Sequence, residues 1–232
     1  MSYLVIGGGS IGKRHHANLT ALGAECQLMG WRGLDPGELD LRDVTGLVIA
    51  TATQIRLELI ALAAKADVPV YVEKPLAYRA ADLQEIARVA APIADRSVLG
   101  LMMRYHPAIR HLAARPVDAY GFHFEIGHDV RQWRQNWRFA DSYASRPDGG
   151  GVLLDLCHEI DMAHVLFPDL SVNSVNCLGQ KDFPGVDFAT RVQMKGKYRI
   201  GTVAMDYLSP ESIRRMSLRG RNETLDLDLL SC

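Results

Sequence analysis

The sequence predicts an α/β domain with a doubly wound parallel sheet over residues 1–104, followed by an α+β domain with an open, mostly antiparallel sheet over 105–232. Three observations predict it. Short, continuously apolar strand segments alternate with helical segments through the first hundred residues or so, the pattern of strands buried on both faces. A glycine-rich turn stands directly between the first strand segment and the first helical one. Beyond residue 104 the strand-like runs alternate and are joined by short polar turns, as in antiparallel hairpins with one face on a core.

Taken in order, residues 3–6 (YLVI) form an apolar run ending at Gly7-Gly8-Gly9, and 10–22 read as a helix with Ile11, Leu19 and Leu22 apolar. Strands follow at 25–31, 46–50, 69–72 and 97–101, with helices at 54–66 and 80–91. The stretch 32–45, with Asp35-Pro36-Gly37 inside it, is too short for a full crossover helix, so one unit of the first domain is trimmed. In the second domain a helix is expected at 107–114 and a longer one at 151–166. Strands are expected at 117–126, 172–180, 187–194, 198–207, 212–219 and 223–229, the later ones forming a meander through turns such as Lys195-Gly196-Lys197. Residues 127–150 have little periodicity but hold Trp133, Trp137, Tyr143 and several arginines, and a long loop of that kind is more often functional than idle.

Composition bounds the function. At 232 residues, 48% hydrophobic and 23% charged, the chain has the make-up of an ordinary soluble protein. Its formal net charge of −1, with Lys and Arg scattered, argues against nucleic-acid or membrane-surface binding, which rest on a basic field. The four cysteines lack CxxC spacing, which favours reduced thiols, and none is a strong metal candidate. No apolar run approaches the roughly 18 residues of a membrane span, and the first residues run straight into a strand; a cytoplasmic location is expected.

The chemistry starts at the glycine turn. Gly7, Gly9 and Gly12 satisfy G-x-G-x-x-G between a strand and a helix that Ser10 and Ile11 open, which points to a dinucleotide. Gly7 would permit the tight turn, Gly9 would admit a pyrophosphate, and Gly12 would let helix and strand pack closely. The helix N-terminus adds unpaired N–H groups and partial positive charge. At the end of the second strand an acid would favour NAD; this chain has Trp31 and Arg32 there, suited to stack near an adenine and to pair with a 2′-phosphate. The cofactor expected is NADP or NAD, with a lean to NADP.

Two further stretches carry candidates. In "VYVEKPLA" (70–77), Glu73 and Lys74 follow a buried strand and precede a rigid proline. Lys74 then stands on the carboxyl rim of the sheet, where such folds bind ligands, and a partly desolvated lysine there suits acid/base work. In "GGGVLLDLCHEID" (149–161), a continuous helix would place Asp155 and His158 at i and i+3 on one face, His158 as proton acceptor and Asp155 as its orienter or a ligand to a substrate hydroxyl. Asp161 and His164 lean to other parts of that helix, so no metal site is expected.

With "GGGSIGKRHHANL", "VIATAT", "VYVEKPLA", "RYHP" and "GGGVLLDLCHEID" in this order, the chain resembles the glucose-fructose oxidoreductase / inositol dehydrogenase (Gfo/Idh/MocA) family. It is most similar to the branch of bacterial surface-sugar biosynthesis, in which Trp-Arg and Ser-Tyr pairs precede "LDLxHE", as Trp133-Arg134 and Ser142-Tyr143 do here. The resemblance implies a Rossmann domain followed by an open-sheet domain that mediates dimerisation or higher homo-oligomers. It implies that Lys74 touches substrate and nicotinamide, and that His158 is the catalytic acid/base. Thr51 and Glu73 are expected at the cofactor, and Arg104, Trp133, Arg134 and Tyr143 at a sugar-type substrate. Leu154 stands where many relatives carry an aspartate, and the chain is shorter than the usual member, which would leave the pocket more open or dependent on a partner subunit. The activity expected is hydride transfer between a sugar or nucleotide-sugar hydroxyl and nicotinamide. Redox-assisted elimination or glycoside cleavage, and a non-catalytic dinucleotide-binding role, are the alternatives.

Overall fold

The computed structural model describes residues 2–115, 117–132 and 138–231. The chain divides into two compact units, Met1–Gly100 and Leu101–Cys232.

In the first unit, β1 (Ser2–Ile6), α1 (Ser10–Ala21), β2 (Glu25–Met29), β3 (Val44–Ile49), α2 (Arg56–Lys65), β4 (Val70–Val72), α3 (Ala80–Ala90) and β5 (Val98–Leu99) alternate as expected. The strands form one sheet in the order β2-β1-β3-β4-β5, each neighbouring pair parallel. The winding reverses between β1 and β3. Crevices at such a reversal, beyond the carboxyl ends of the strands, are where doubly wound sheets bind ligands. Ile6, Leu47, Ile49, Leu59, Ile60 and Ile93 are fully buried, each contributing roughly 1.5–3 kcal/mol of apolar burial.

The trimmed connection is visible. Between β2 and β3 there is one 3-10 turn, Pro36–Glu38, opened by Asp35 Oδ1 accepting from Gly37 N at 2.8 Å. No crossover helix covers β2 from that side, and four of its five residues are exposed. The continuous burial that its apolar letters promised therefore holds for β1 and β3 but not for this edge strand.

The second unit carries α4 (Pro107–Ala114), β6 (Ala119–Gly127), α5 (Val152–Asp155), α6 (His158–Leu166), β7 (Ser171–Gln180), β8 (Phe183–Lys195), β9 (Ile200–Asp206), β10 (Ile213–Gly220) and β11 (Thr224–Asp228). The six strands lie in the order β11-β10-β6-β9-β8-β7. Four of the five pairings are antiparallel, but β6 and β9 are parallel, so the sheet is not a simple meander. The reason lies in the connection after β6. It passes through α5 and α6 to the far edge, and two hairpin reversals from β7 then bring β9 back in the direction of β6. Along β6, Phe122, Phe124 and Ile126 point into a core shared with Ile109, Met162 and Val203, while His123 faces out.

The helix expected over 151–166 is broken. α5 ends at Asp155, Leu156 leaves helical geometry (φ −102, ψ 29) and enters the core, and α6 begins afresh at His158. Contrary to expectation, Asp155 and His158 are therefore not i and i+3 of one continuous helix: they stand at the end of one helix and the start of the next. Among the described residues no helix is long and apolar enough to cross a membrane.

Candidate functional site

In the first unit the glycines hold the geometry that their spacing implied. Gly7 has φ +135, and a Cβ there would lie 2.3 Å from the carbonyl oxygen of Ala50, so strands β1 and β3 can come together only over a residue without a side chain. A Cβ on Gly12 would stand 1.8 Å from the Gly7 carbonyl oxygen, which fixes how closely α1 packs on the turn. Above Gly9 nothing lies within 4 Å of an added Cβ. Ser10 and Ile11 are exposed at the start of α1, whose first turn carries no acidic residue to offset its partial positive charge. An open cradle over main-chain N–H groups at the winding reversal fits a pyrophosphate. Beyond β2, Trp31 packs against the core of this unit, and the exposed Arg32 guanidinium lies 6.0 Å from its ring centroid.

Thr51, buried at the end of β3, donates its hydroxyl to the Ala52 carbonyl at 3.0 Å. Glu73 is engaged by an element that no sequence motif connects to it: its Oε1 lies 2.7 Å from His15 Nε2 on α1, with both side chains largely buried. The His15 ring also lies 4.9 Å from that of Tyr71. Lys74 follows, half-buried, with a cis peptide to Pro75. The guanidinium of Arg56, the first residue of α2, donates to the main-chain carbonyls of Thr51 (2.9 Å), Glu73 and Pro75.

In the second unit the triple glycine is a packing requirement. A Cβ on Gly150 would meet three main-chain carbonyl oxygens within 2.7 Å, and Gly151 has φ +86 with Asp187 Oδ1 only 1.9 Å from where its Cβ would stand. The turn delivers Asp155, buried, between two phenols. Tyr143 donates its hydroxyl to Oδ1 at 2.5 Å, and the fully buried Tyr207 lies 3.1 Å from Oδ2 and 3.0 Å from the Gly151 carbonyl oxygen. Burial first, and the Asp155 charge second, push the Tyr207 hydroxyl far above the ordinary range, so it remains a proton donor. Asp155 thus anchors Tyr143, whose ring is half exposed.

His158 is buried at the first residue of α6. Beside it, Glu159 is fully buried and accepts from Arg214 Nε of β10 at 2.7 Å, tying the helix to the sheet. His128, after β6, packs its ring 6.1 Å from that of Tyr207, and burial pulls its pKa below the usual histidine value. Arg104, expected at substrate, grips Asp161 through Nε (2.9 Å to Oδ2) and Nη2 (2.5 Å to Oδ1). Trp133 and Arg134 lie outside the described residues. Among the described residues, no group of three or more His, Cys, Asp or Glu side chains is arranged to hold a metal ion.

Sequence reasoning missed His15, Arg56, Tyr207 and the Glu159–Arg214 pair. One signal was present for Arg56, a cation at the start of a helix, where the helix dipole disfavours it.

Residues 122–209 match the model of the "Oxidoreductase family, C-terminal alpha/beta domain", the C-terminal domain of Gfo/Idh/MocA proteins. No curated protein sequence matches the chain. Among solved structures, a myo-inositol dehydrogenase from Corynebacterium glutamicum aligns with TM-score 0.80 at 18% identity, over 98% of this chain and 75% of that one. A UDP-N-acetylglucosamine 3-dehydrogenase from Acidithiobacillus ferrooxidans aligns with TM-score 0.80 at 18% identity, over 100% of this chain and 77% of that one. Scyllo-inositol dehydrogenase from Lactobacillus casei, solved with NAD(H) and scyllo-inositol, aligns with TM-score 0.77 at 16% identity, over 98% and 76%.

Proposed function

We propose that the chain, whose residues 122–209 match the C-terminal domain model of the Gfo/Idh/MocA oxidoreductases, is an NAD(P)-dependent dehydrogenase or reductase that exchanges a hydride with a sugar or nucleotide-sugar hydroxyl or carbonyl. The observation that carries this reading is the open cradle over Gly9 at the winding reversal, on the same carboxyl rim of the sheet where Lys74 follows β4. Bound there, the nicotinamide supplies the hydride chemistry.

The residues of the chain supply position and proton movement. Main-chain N–H groups of Gly9, Ser10 and Ile11 hold the pyrophosphate, and Thr51 and the Glu73 segment line the crevice. Trp31 stacks by the adenine and Arg32 pairs with a 2′-phosphate, which favours NADP over NAD. Lys74 contacts substrate and nicotinamide, and His158 is the acid/base that takes up the hydroxyl proton as the carbinol carbon is oxidised, returning it in the reverse direction. Tyr143, held by Asp155, and Arg104, Trp133 and Arg134 contact the substrate, Arg134 suiting a phosphate or carboxylate. The protein acts in the cytoplasm as a homodimer or higher homo-oligomer formed through its second sheet.

The test is turnover with a panel of myo-inositol, scyllo-inositol and UDP-N-acetylglucosamine, with NADP and NAD in parallel. Lys74→Ala and His158→Ala are expected to lower kcat by roughly 10²–10⁴-fold while cofactor binding persists. Wild-type rates in both variants would sink the catalytic assignment.

A further inference from the structure

Arg56 sits where two effects oppose a cation. It is 4% exposed, the one arginine among the described residues to be fully buried, and it opens α2, at the positive end of that helix. Its hydrogen bonds go to main-chain carbonyls that have a common feature. Nη1 donates to Glu73 O and Pro75 O, the carbonyls on either side of Lys74, while Nη2 donates to Thr51 O just past the end of β3 at 2.9 Å. One rigid planar fork therefore joins the exits of β3 and β4 and grips the main chain on both flanks of Lys74. Charge-assisted bonds of this kind are about twice as strong as neutral ones, and the fork geometry is one that lysine cannot reproduce.

We propose that Arg56 is the positioning residue of Lys74: it fixes the 73–75 main chain against the end of β3, so that the lysine amine is presented at one place on the rim of the sheet. This rests on the reading of Lys74 as a group that acts on substrate, and it adds a residue 18 positions away whose side chain need not touch substrate or cofactor. The local character of the grip is what separates positioning from general support. The core of this unit is formed by apolar residues of β1, β3, β4 and α2, and Arg56 bonds to strand exits instead.

The experiment compares wild type with Arg56→Lys, which keeps the charge and loses the fork, and Arg56→Gln, which loses the charge. Amide hydrogen exchange over residues 72–77 is expected to quicken at least tenfold in Arg56→Lys, with exchange in β1 and β3 and the melting temperature nearly unchanged. Turnover in that variant is expected to fall, and combining it with Lys74→Ala is expected to lower turnover no further than Lys74→Ala alone. Unchanged exchange at 72–77 overturns the proposal. So does exchange that quickens equally throughout the first unit, or failure of both variants to reach a native melting transition, since each makes Arg56 a general structural anchor. If Lys74→Ala itself turns over at the wild-type rate, the catalytic reading of Lys74 fails; if Lys74→Ala is inactive while Arg56→Lys is fully active, the Arg56 inference fails alone.

Discussion

The three motif glycines do different jobs, and each can be separated by a single methyl group. Gly12→Ala places a Cβ 1.8 Å from the Gly7 carbonyl oxygen, a contact that only main-chain movement can relieve, so a loss of more than about 3 kcal/mol of stability is expected. Gly9 has φ −75 and open space around its Cβ position, so Gly9→Ala is expected to cost less than about 1 kcal/mol. In the proposed complex that same methyl enters the space of the pyrophosphate and weakens NADP or NAD binding by about tenfold or more, or about 1.4 kcal/mol. Urea unfolding and cofactor titration on the two variants check this, and equal effects on both quantities would refute it. The glycines were legible because the motif is local: strand, turn and helix are contiguous in sequence. Glu73 was not, because its partner His15 is 58 residues away, and nothing in "VYVEKPLA" names the helix face that meets it. The partners of Arg56 and Tyr207 were hidden for the same reason, being carbonyls and a carboxylate brought in by folding.

At the scale of elements, the periodicity of 151–166 carries straight through a break that the structure contains. Apolar letters continue at helical spacing, and no Gly or Pro marks the interruption at Leu156-Cys157. What fixes α5 as a separate turn comes from another strand. Asp187 of β8 accepts from Leu153 N at 2.9 Å and from the hydroxyl of the fully buried Thr190 at 2.6 Å through the same Oδ2. It acts as an N-terminal cap supplied from 34 residues downstream. Asp187→Ala removes the cap and leaves the buried Thr190 hydroxyl only the weak acceptor Cys177 Sγ at 3.4 Å, so a loss of about 2 kcal/mol is expected, with most of it recovered in Asp187→Asn, which keeps an acceptor. Because α5 ends at Asp155, the Ala variant is also expected to loosen the Tyr143–Asp155 bond and raise hydrogen exchange at 152–156. A denaturation midpoint equal to wild type would show that the cap does not hold the turn. The other elements were legible where their pattern was theirs alone, as in β1, β3 and β6, and less so at β2, whose apolar letters lack a covering helix.

For the molecule as a whole, the change from a parallel to a mostly antiparallel sheet was readable in the change of pattern, whereas the order of strands was not. Strand letters record which faces are buried but not which neighbour lies alongside, and the parallel contact of β6 with β9 depends on a crossover whose path is set by packing. The same register decides what kind of dimer the second sheet would make. Opposite its core face it presents, across neighbouring strands, Arg191 beside Ala204, Gln193 beside Thr202, Thr202 beside His123, and Arg215 beside Glu125. With β7 exposed along its whole length, this is a polar, mixed-charge surface with few large apolar side chains, Ile200 and Leu178 among them. Association through such a face draws more on paired charges and hydrogen bonds than on apolar burial, and exposed ion pairs are screened by salt. Sedimentation at low ionic strength is therefore expected to show a species of twice the chain mass that shifts towards the monomer in about 1 M salt, where the Debye length is about 3 Å. Arg191→Glu together with Arg215→Glu is expected to weaken the dimer at low salt without changing the melting of the monomer. A dimer indifferent to both salt and these substitutions would place the interface on another surface, and a monomer under all conditions would remove the dimer from the proposal.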